Sequence, residues 1–159
     1  MRIKTIVDED FTNYKKPSMF IGTISCAGKC CIEAGIPLSV CQNDSWRKNP
    51  IIDMDDIRIV DRYINNPYTD SIVFGGLEPF EQFNELLTFI DTFRKVCDDL
   101  VIIYSGYTKD ELGDYLKELA VYPNIIVKFG RYIPNDVSRF DDVLGVTLAS
   151  SNQYAERIS

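Results

Sequence analysis

Residues 19–46 read Met19-Phe-Ile-Gly-Thr-Ile-Ser-Cys26-Ala-Gly-Lys-Cys30-Cys31-Ile-Glu-Ala-Gly-Ile-Pro-Leu-Ser-Val-Cys41-Gln-Asn-Asp-Ser-Trp46. The apolar run from Met19 to Ile24 predicts a buried strand. It leads directly into four of the chain's five cysteines, on a loop punctuated by Gly28, Gly35 and Pro37. Thiolates gathered at a strand end suit a soft metal centre: zinc, copper(I) or an iron–sulfur cluster.

Working outward, the same grammar repeats. Asp53 to Ile64 predicts a helix, with Ile57, Val60 and Ile64 on one face and Asp53, Asp55 and Asp56 where carboxylates favour the helix dipole. Ser71 to Phe74 predicts a strand ending in Gly75-Gly76-Leu77-Glu78-Pro79. Phe80 to about Val96 predicts a second helix, with Phe83, Leu86, Leu87, Ile90 and Phe93 inward. Leu100 to Tyr104 is apolar throughout, as in a parallel strand covered on both faces. Thr108 and Glu111 form a capping box opening a third helix with Leu112, Tyr115, Leu116 and Leu119 inward. Asn124 to Phe129 predicts a fourth buried strand and Val143 to Leu148 a last one. Residues 1–16 predict an edge strand and a loop, and Ser150 to Ser159 a polar tail.

Strands alternating with helices predict an α/β fold, an open, partial (βα) barrel with a mostly parallel sheet, as one domain over residues 1–159. Four βα units are too few for a closed eight-stranded barrel, so the sheet should be open beside its last strand, near Phe129 to Ile133. In such folds ligands sit beyond the carboxyl ends of the strands, which is where Cys26, Cys30, Gly75, Gly76, Glu78, Ser105, Gly106 and Gly130 fall.

Composition narrows the chemistry. A formal charge of −7 with scattered Lys and Arg argues against a nucleic-acid binder and a polybasic membrane contact. No apolar run is long enough for a membrane span or a signal peptide, so a cytoplasmic location is expected, where clustered cysteines bind metal or do chemistry more often than they pair. The sequence contains no histidine, which removes His-based triads and the usual general base; no side chain is assigned a catalytic acid–base role. Four cysteines in the positions from 26 to 41 leave three readings: packed core residues, a zinc site, or an iron–sulfur cluster on three thiolates with one iron open. Adjacent Cys30 and Cys31 fit one zinc ion poorly. Cys97 stands apart near a helix end and reads as an inert thiol.

At these residues the chain resembles the radical S-adenosylmethionine family, whose members carry Cys-x3-Cys-x2-Cys after the first strand, the last Cys often followed by x-Asn. Cys26-Ala-Gly-Lys-Cys30 matches the first spacing. Cys41-Gln42-Asn43, with Trp46 soon after, is similar to the end of the motif. Ten residues separate Cys30 from Cys41 where the family has two, so either the loop bulges and returns Cys41, or Cys31 substitutes. Val73 to Pro79 resembles the family's Gly-Gly-Glu-Pro element, with Leu77 at the second Gly when Glu78 and Pro79 are aligned. Ile103 to Thr108, Lys128 to Ile133 and Leu148 to Gln153 resemble activating proteins of anaerobic ribonucleotide reductases. There Phe129 stands for the subfamily's Asp and Ala149 for the Gly of its tail.

The resemblance implies a [4Fe–4S] cluster on Cys26, Cys30 and Cys41, and S-adenosyl-L-methionine as cofactor. Gly75 and Gly76 would let backbone approach the methionine moiety, Glu78 would orient its amino group, and Ser105 and Gly106 would line the pocket. Cys31 would be a substitute ligand or a wall, and Asn152 and Gln153 hydrogen-bonding tail residues. It implies an external electron donor and, as partner, a larger glycyl-radical enzyme, an anaerobic ribonucleotide reductase, docking at the open edge; a homodimer covering that edge is the bland alternative. A radical enzyme acting on a small metabolite and a non-enzymatic metal-binding module are the competing functions.

Overall fold

A computed structural model describes all 159 residues. The chain runs β1 (Arg2–Ile3), β2 (Thr5–Asp10), β3 (Ser18–Gly22), α1 (Lys29–Glu33), α2 (Asp44–Lys48), β4 (Ile52–Asp53) and α3 (Asp56–Ile64). It continues through β5 (Ser71–Gly75), α4 (Phe83–Arg94), β6 (Leu100–Tyr104), α5 (Lys109–Leu119), β7 (Ile125–Phe129), β8 (Arg139–Asp141), β9 (Val146–Leu148) and β10 (Tyr154–Arg157). Six strands form one mixed α/β sheet in the order β10-β7-β6-β5-β3-β2. The four central strands are parallel, and β2 and β10 pair antiparallel at the edges. The sheet is open and does not close on itself.

The continuously apolar strands are explained by burial on both faces. Successive side chains alternate, so Ile72, Phe74, Val101 and Ile103 join the core beneath α3, α4 and α5. Val73 and Ile102 point the other way, onto Tyr14, Leu144 and Leu148 from the segments before β3 and around β9. Phe89, Phe93 and Ile90 of α4 are fully buried, each contributing roughly 1.5–3 kcal/mol of transfer free energy.

Five expectations change. The stretch 150–159 is not a polar tail: β10 pairs with β7, Tyr154 opposite Phe129, so the edge expected to be open is covered by the chain itself. Four residues, two apolar followed by two charged, are too few and too irregular in pattern to register as a strand. On α3 the buried residues are Ile59, Val60 and Tyr63, while Ile57 and Ile64 are exposed; an apolar residue on either side of the true face makes two stripes equally plausible. That helix starts at Asp56, capped by the Asp55 side chain, which accepts from Ile57 N at 3.0 Å, and Asp53 belongs to β4. Tyr115 of α5 is 42% exposed and packs on Phe83 at 4.5 Å between ring centroids. The segment 143–148 yields β9, which pairs with β8 in a separate hairpin. The capping box at Thr108 is present in both directions.

Candidate metal and cofactor site

The carboxyl ends of β3, β5, β6 and β7 open into one cavity of about 480 Å³, lined among others by Cys26, Cys30, Cys31 and Cys41. The candidate cofactor residues Gly75, Gly76, Glu78, Ser105 and Gly106 all reach its wall. Cys97 does not, lying instead against the core under the helices.

The cysteine loop is locked to the turn after β5. Ser25 O accepts from Glu78 N at 2.7 Å. Glu81, which carries no signal in the sequence, accepts from Ser25 Oγ at 2.9 Å and from Ala27 N at 2.5 Å. All five cysteines are free thiols. Cys26 Sγ accepts from Gly28 N at 3.3 Å, and burial pushes its thiol pKa up. Cys31 is 3% exposed; burial first, then the adjoining Cys30 and Cys41 thiols, push it up to about 11. Cys41, beyond the ten-residue spacer, lines the same cavity and adjoins Cys31. As placed, no group of three or more His, Cys, Asp or Glu side chains is gathered closely enough to hold a single metal ion. Soft thiols spread around a shared cavity fit a polynuclear cluster, whose thiolates bind separate irons.

Glu78 is 6% exposed and accepts three hydrogen bonds: from Ser105 Oγ at 2.9 Å, Gly106 N at 2.8 Å and Phe80 N at 3.2 Å. Burial pushes its carboxyl up to about 7, against those donors, which favour the charged form. Ser105 and Gly106 thus act on Glu78 as well as lining the wall. Beside it on the wall is Lys128, also 6% exposed. Its ammonium donates to the carbonyls of Gly130 at 2.8 Å and Ser105 at 3.3 Å, and burial pulls it down to about 8 while Glu78 and Cys30 oppose the shift. A lysine inside an otherwise apolar strand is the available signal, because lysine is almost never buried without a reason.

The space beside Gly76 is already taken. Its φ is +83°, and a Cβ there would stand 2.4 Å from the Trp46 ring. Trp46 also meets Phe20 edge-on at 5.2 Å. The neighbouring Arg47 donates from Nη1 to Cys26 O at 2.7 Å, and its buried Nε has no partner. Asn152 Nδ2 donates to Arg131 O at 3.0 Å and Gln153 Nε2 to Gly130 O at 3.2 Å; these residues clasp the end of β7.

Searches of curated proteins and of solved structures return no match. A family model described as a 4Fe-4S single cluster domain matches residues 29–153, more than three-quarters of the chain. The match takes in Cys30, Cys31 and Cys41, the turn at Glu78 and the end of β7, and begins just after Cys26. The thiol-lined cavity and this match agree on the same group, and the chain belongs to the 4Fe-4S single cluster domain family.

Proposed function

We propose that this chain is a radical S-adenosylmethionine protein in which Cys26, Cys30 and Cys41 hold a [4Fe–4S] cluster. The observation that carries the reading is Glu78: a buried carboxylate with a perturbed pKa, facing the same cavity as four free thiols. Lys128 supplies a buried ammonium on the same wall. A carboxylate and an ammonium together suit the head group of an α-amino acid, which S-adenosyl-L-methionine carries. When bound, the reduced cluster with that cofactor supplies a 5′-deoxyadenosyl radical. The chain's own residues bind, orient and exclude water: Glu78 faces the ligand ammonium, Lys128 its carboxylate, and Trp46 with Phe20 closes the apolar side.

We assign the radical to a glycine of a larger anaerobic enzyme, a ribonucleotide reductase, with an external one-electron donor. Two features support a macromolecular substrate: the absence of histidine, and exposed apolar side chains on the cavity rim, Val40 and Tyr132, which are 56% and 44% exposed. Docking belongs at this rim, because β10 occupies the sheet edge. The test is anaerobic iron and sulfide analysis with S-adenosylmethionine cleavage, followed by electron paramagnetic resonance of a mixture with the reductase. A glycyl signal is expected; cleavage without it from any candidate reductase would leave a small metabolite as substrate.

A second reading rests on Cys31, whose thiol adjoins those of Cys30 and Cys41. As a fourth ligand it would close the cluster and make the chain a non-radical iron–sulfur module, with a cluster but no cofactor cleavage.

A further inference from the structure

Helix α1, which carries Cys30 and Cys31, is five residues long and has no side-chain cap. A helix that short does not hold itself, so its placement comes from what grips it. Outside the thiols, that grip centres on Arg131. Its guanidinium, with the side chain 11% exposed, reaches Glu33 of α1 at 3.0 Å. It is bidentate on Glu111, at 2.8 and 2.6 Å, the residue that caps α5. Lys29, the first residue of α1, meets the same Glu111 at 3.5 Å. The Tyr107 ring completes the group, with Lys29 Nζ at 4.5 Å and the Arg131 guanidinium carbon at 5.8 Å from its centroid.

We propose that Arg131 is a positioning residue that holds the Glu33 end of the cysteine helix directly and orients the Glu111 carboxylate that holds its Lys29 end, and so fixes where Cys30 and Cys31 stand. It touches no thiol and acts through Glu33, Glu111 and Tyr107. Bidentate geometry makes the planar fork of arginine the suitable cation here. The consequence for a bound cluster rests on the function proposed for the chain; the placement of the helix does not.

The test separates the two. In reduced, metal-free protein, iodoacetamide alkylation of Cys31 is followed by peptide mass spectrometry. Arg131→Gln is expected to speed it about tenfold, equivalent to about 1.4 kcal/mol in the opening equilibrium. Glu33→Gln, at an exposed site that leaves the Glu111 pair intact, is expected to speed it about two- to fivefold, as a partly screened ion pair should. The double variant should add little beyond Arg131→Gln. Arg62→Gln breaks another two-pronged pair, with Asp8 at 2.5 and 2.6 Å, and should leave Cys31 at the wild-type rate. Wild-type alkylation in Glu33→Gln and in a folded Arg131→Gln, or equal acceleration in Arg62→Gln, overturns the proposal. After reconstitution, Arg131→Gln should also lose its iron faster in air than wild type. Wild type that takes up no iron would sink the proposed function while the alkylation rates still decide the role of Arg131.

Discussion

Glu78 offers the sharpest test of the site, because its burial makes a signed prediction. Its carboxyl moves from the ordinary 4.5 to about 7, so the folded protein keeps that proton over a range where the unfolded chain has lost it. Stability from this group is full below pH 4.5, falls as pH rises, and is gone above pH 7. The total is about 3 kcal/mol, and about 2 kcal/mol of it falls between pH 5 and pH 7.5. Glu78→Gln removes the titration. It also turns an amide N–H toward one of the three donors, at a cost of about 1–3 kcal/mol that does not change with pH. The variant therefore starts less stable than wild type at pH 5 and gains on it by about 2 kcal/mol by pH 7.5. Urea denaturation of the reduced, metal-free proteins at the two pH values reads this difference. Lys128 contributes to both proteins and titrates mainly above the range. Parallel pH dependences for variant and wild type would refute the claim that a buried, ionisable carboxylate faces the cavity. The same variant should bind S-adenosylmethionine about ten- to a hundredfold more weakly at pH 7.5, the loss of one charge-assisted hydrogen bond.

Other outcomes rest on the same geometry. Cys26→Ala, Cys30→Ala and Cys41→Ala should each abolish cluster assembly, read as iron content and visible absorbance, whereas Cys97→Ala should retain it; normal iron in Cys41→Ala would move the third ligand to Cys31. Lys128→Met should remove a rise in stability that wild type shows between pH 8 and 10.5. There the folded pKa, lowered to about 8, lets the native protein shed a proton that the unfolded chain keeps, so an unchanged rise in the variant would exclude Lys128 as its source. Gly76→Ala should destabilise by about 1–3 kcal/mol, through positive φ and the collision with Trp46. Adding Trp46→Ala should recover the steric part, so strict additivity in the double-mutant cycle would show that the ring yields freely.

The parts of the fold that were legible in sequence are those where one physical demand dominates. Ile72 to Phe74 and Val101 to Ile103 are buried on both faces, and a chain so placed has no choice but an unbroken apolar run. Thr108 and Glu111 satisfy each other locally, so their pattern survives any tertiary context. Legibility failed where the partner lies far away in sequence. Ala155 N finds its acceptor in Asp141 Oδ2, at 2.9 Å, and nothing in Tyr154 to Arg157 announces that pairing. Arg131 and Glu81 each serve segments more than fifty residues distant, so as isolated charges they are indistinguishable from solvated surface. The cysteines and Glu78 stand out because their residue types are costly to place together without a use.

The longest departure from the resembling motif, the spacer between Cys30 and Cys41, is also the least costly to explain. Lengthening a flexible loop from two to ten residues costs only about 1.4 kcal/mol of closure entropy, and this spacer is not fully flexible. Ala34 N bonds to Cys30 O at 3.1 Å, Ile36 N to Cys31 O at 3.0 Å, Cys41 N to Leu38 O at 3.0 Å and Asp44 N to Cys41 O at 2.9 Å. Consecutive turns thus walk the backbone out and back with short-range hydrogen bonds, and each favours the next. The return also places two residues just beyond Cys41: Trp46 onto Phe20 and Gly76, and Arg47 onto the carbonyl of Cys26. Contacts from one end of the loop to the other offset the added length. The departure in spacing therefore leaves the thiols lining one cavity, as far apart in sequence as they are.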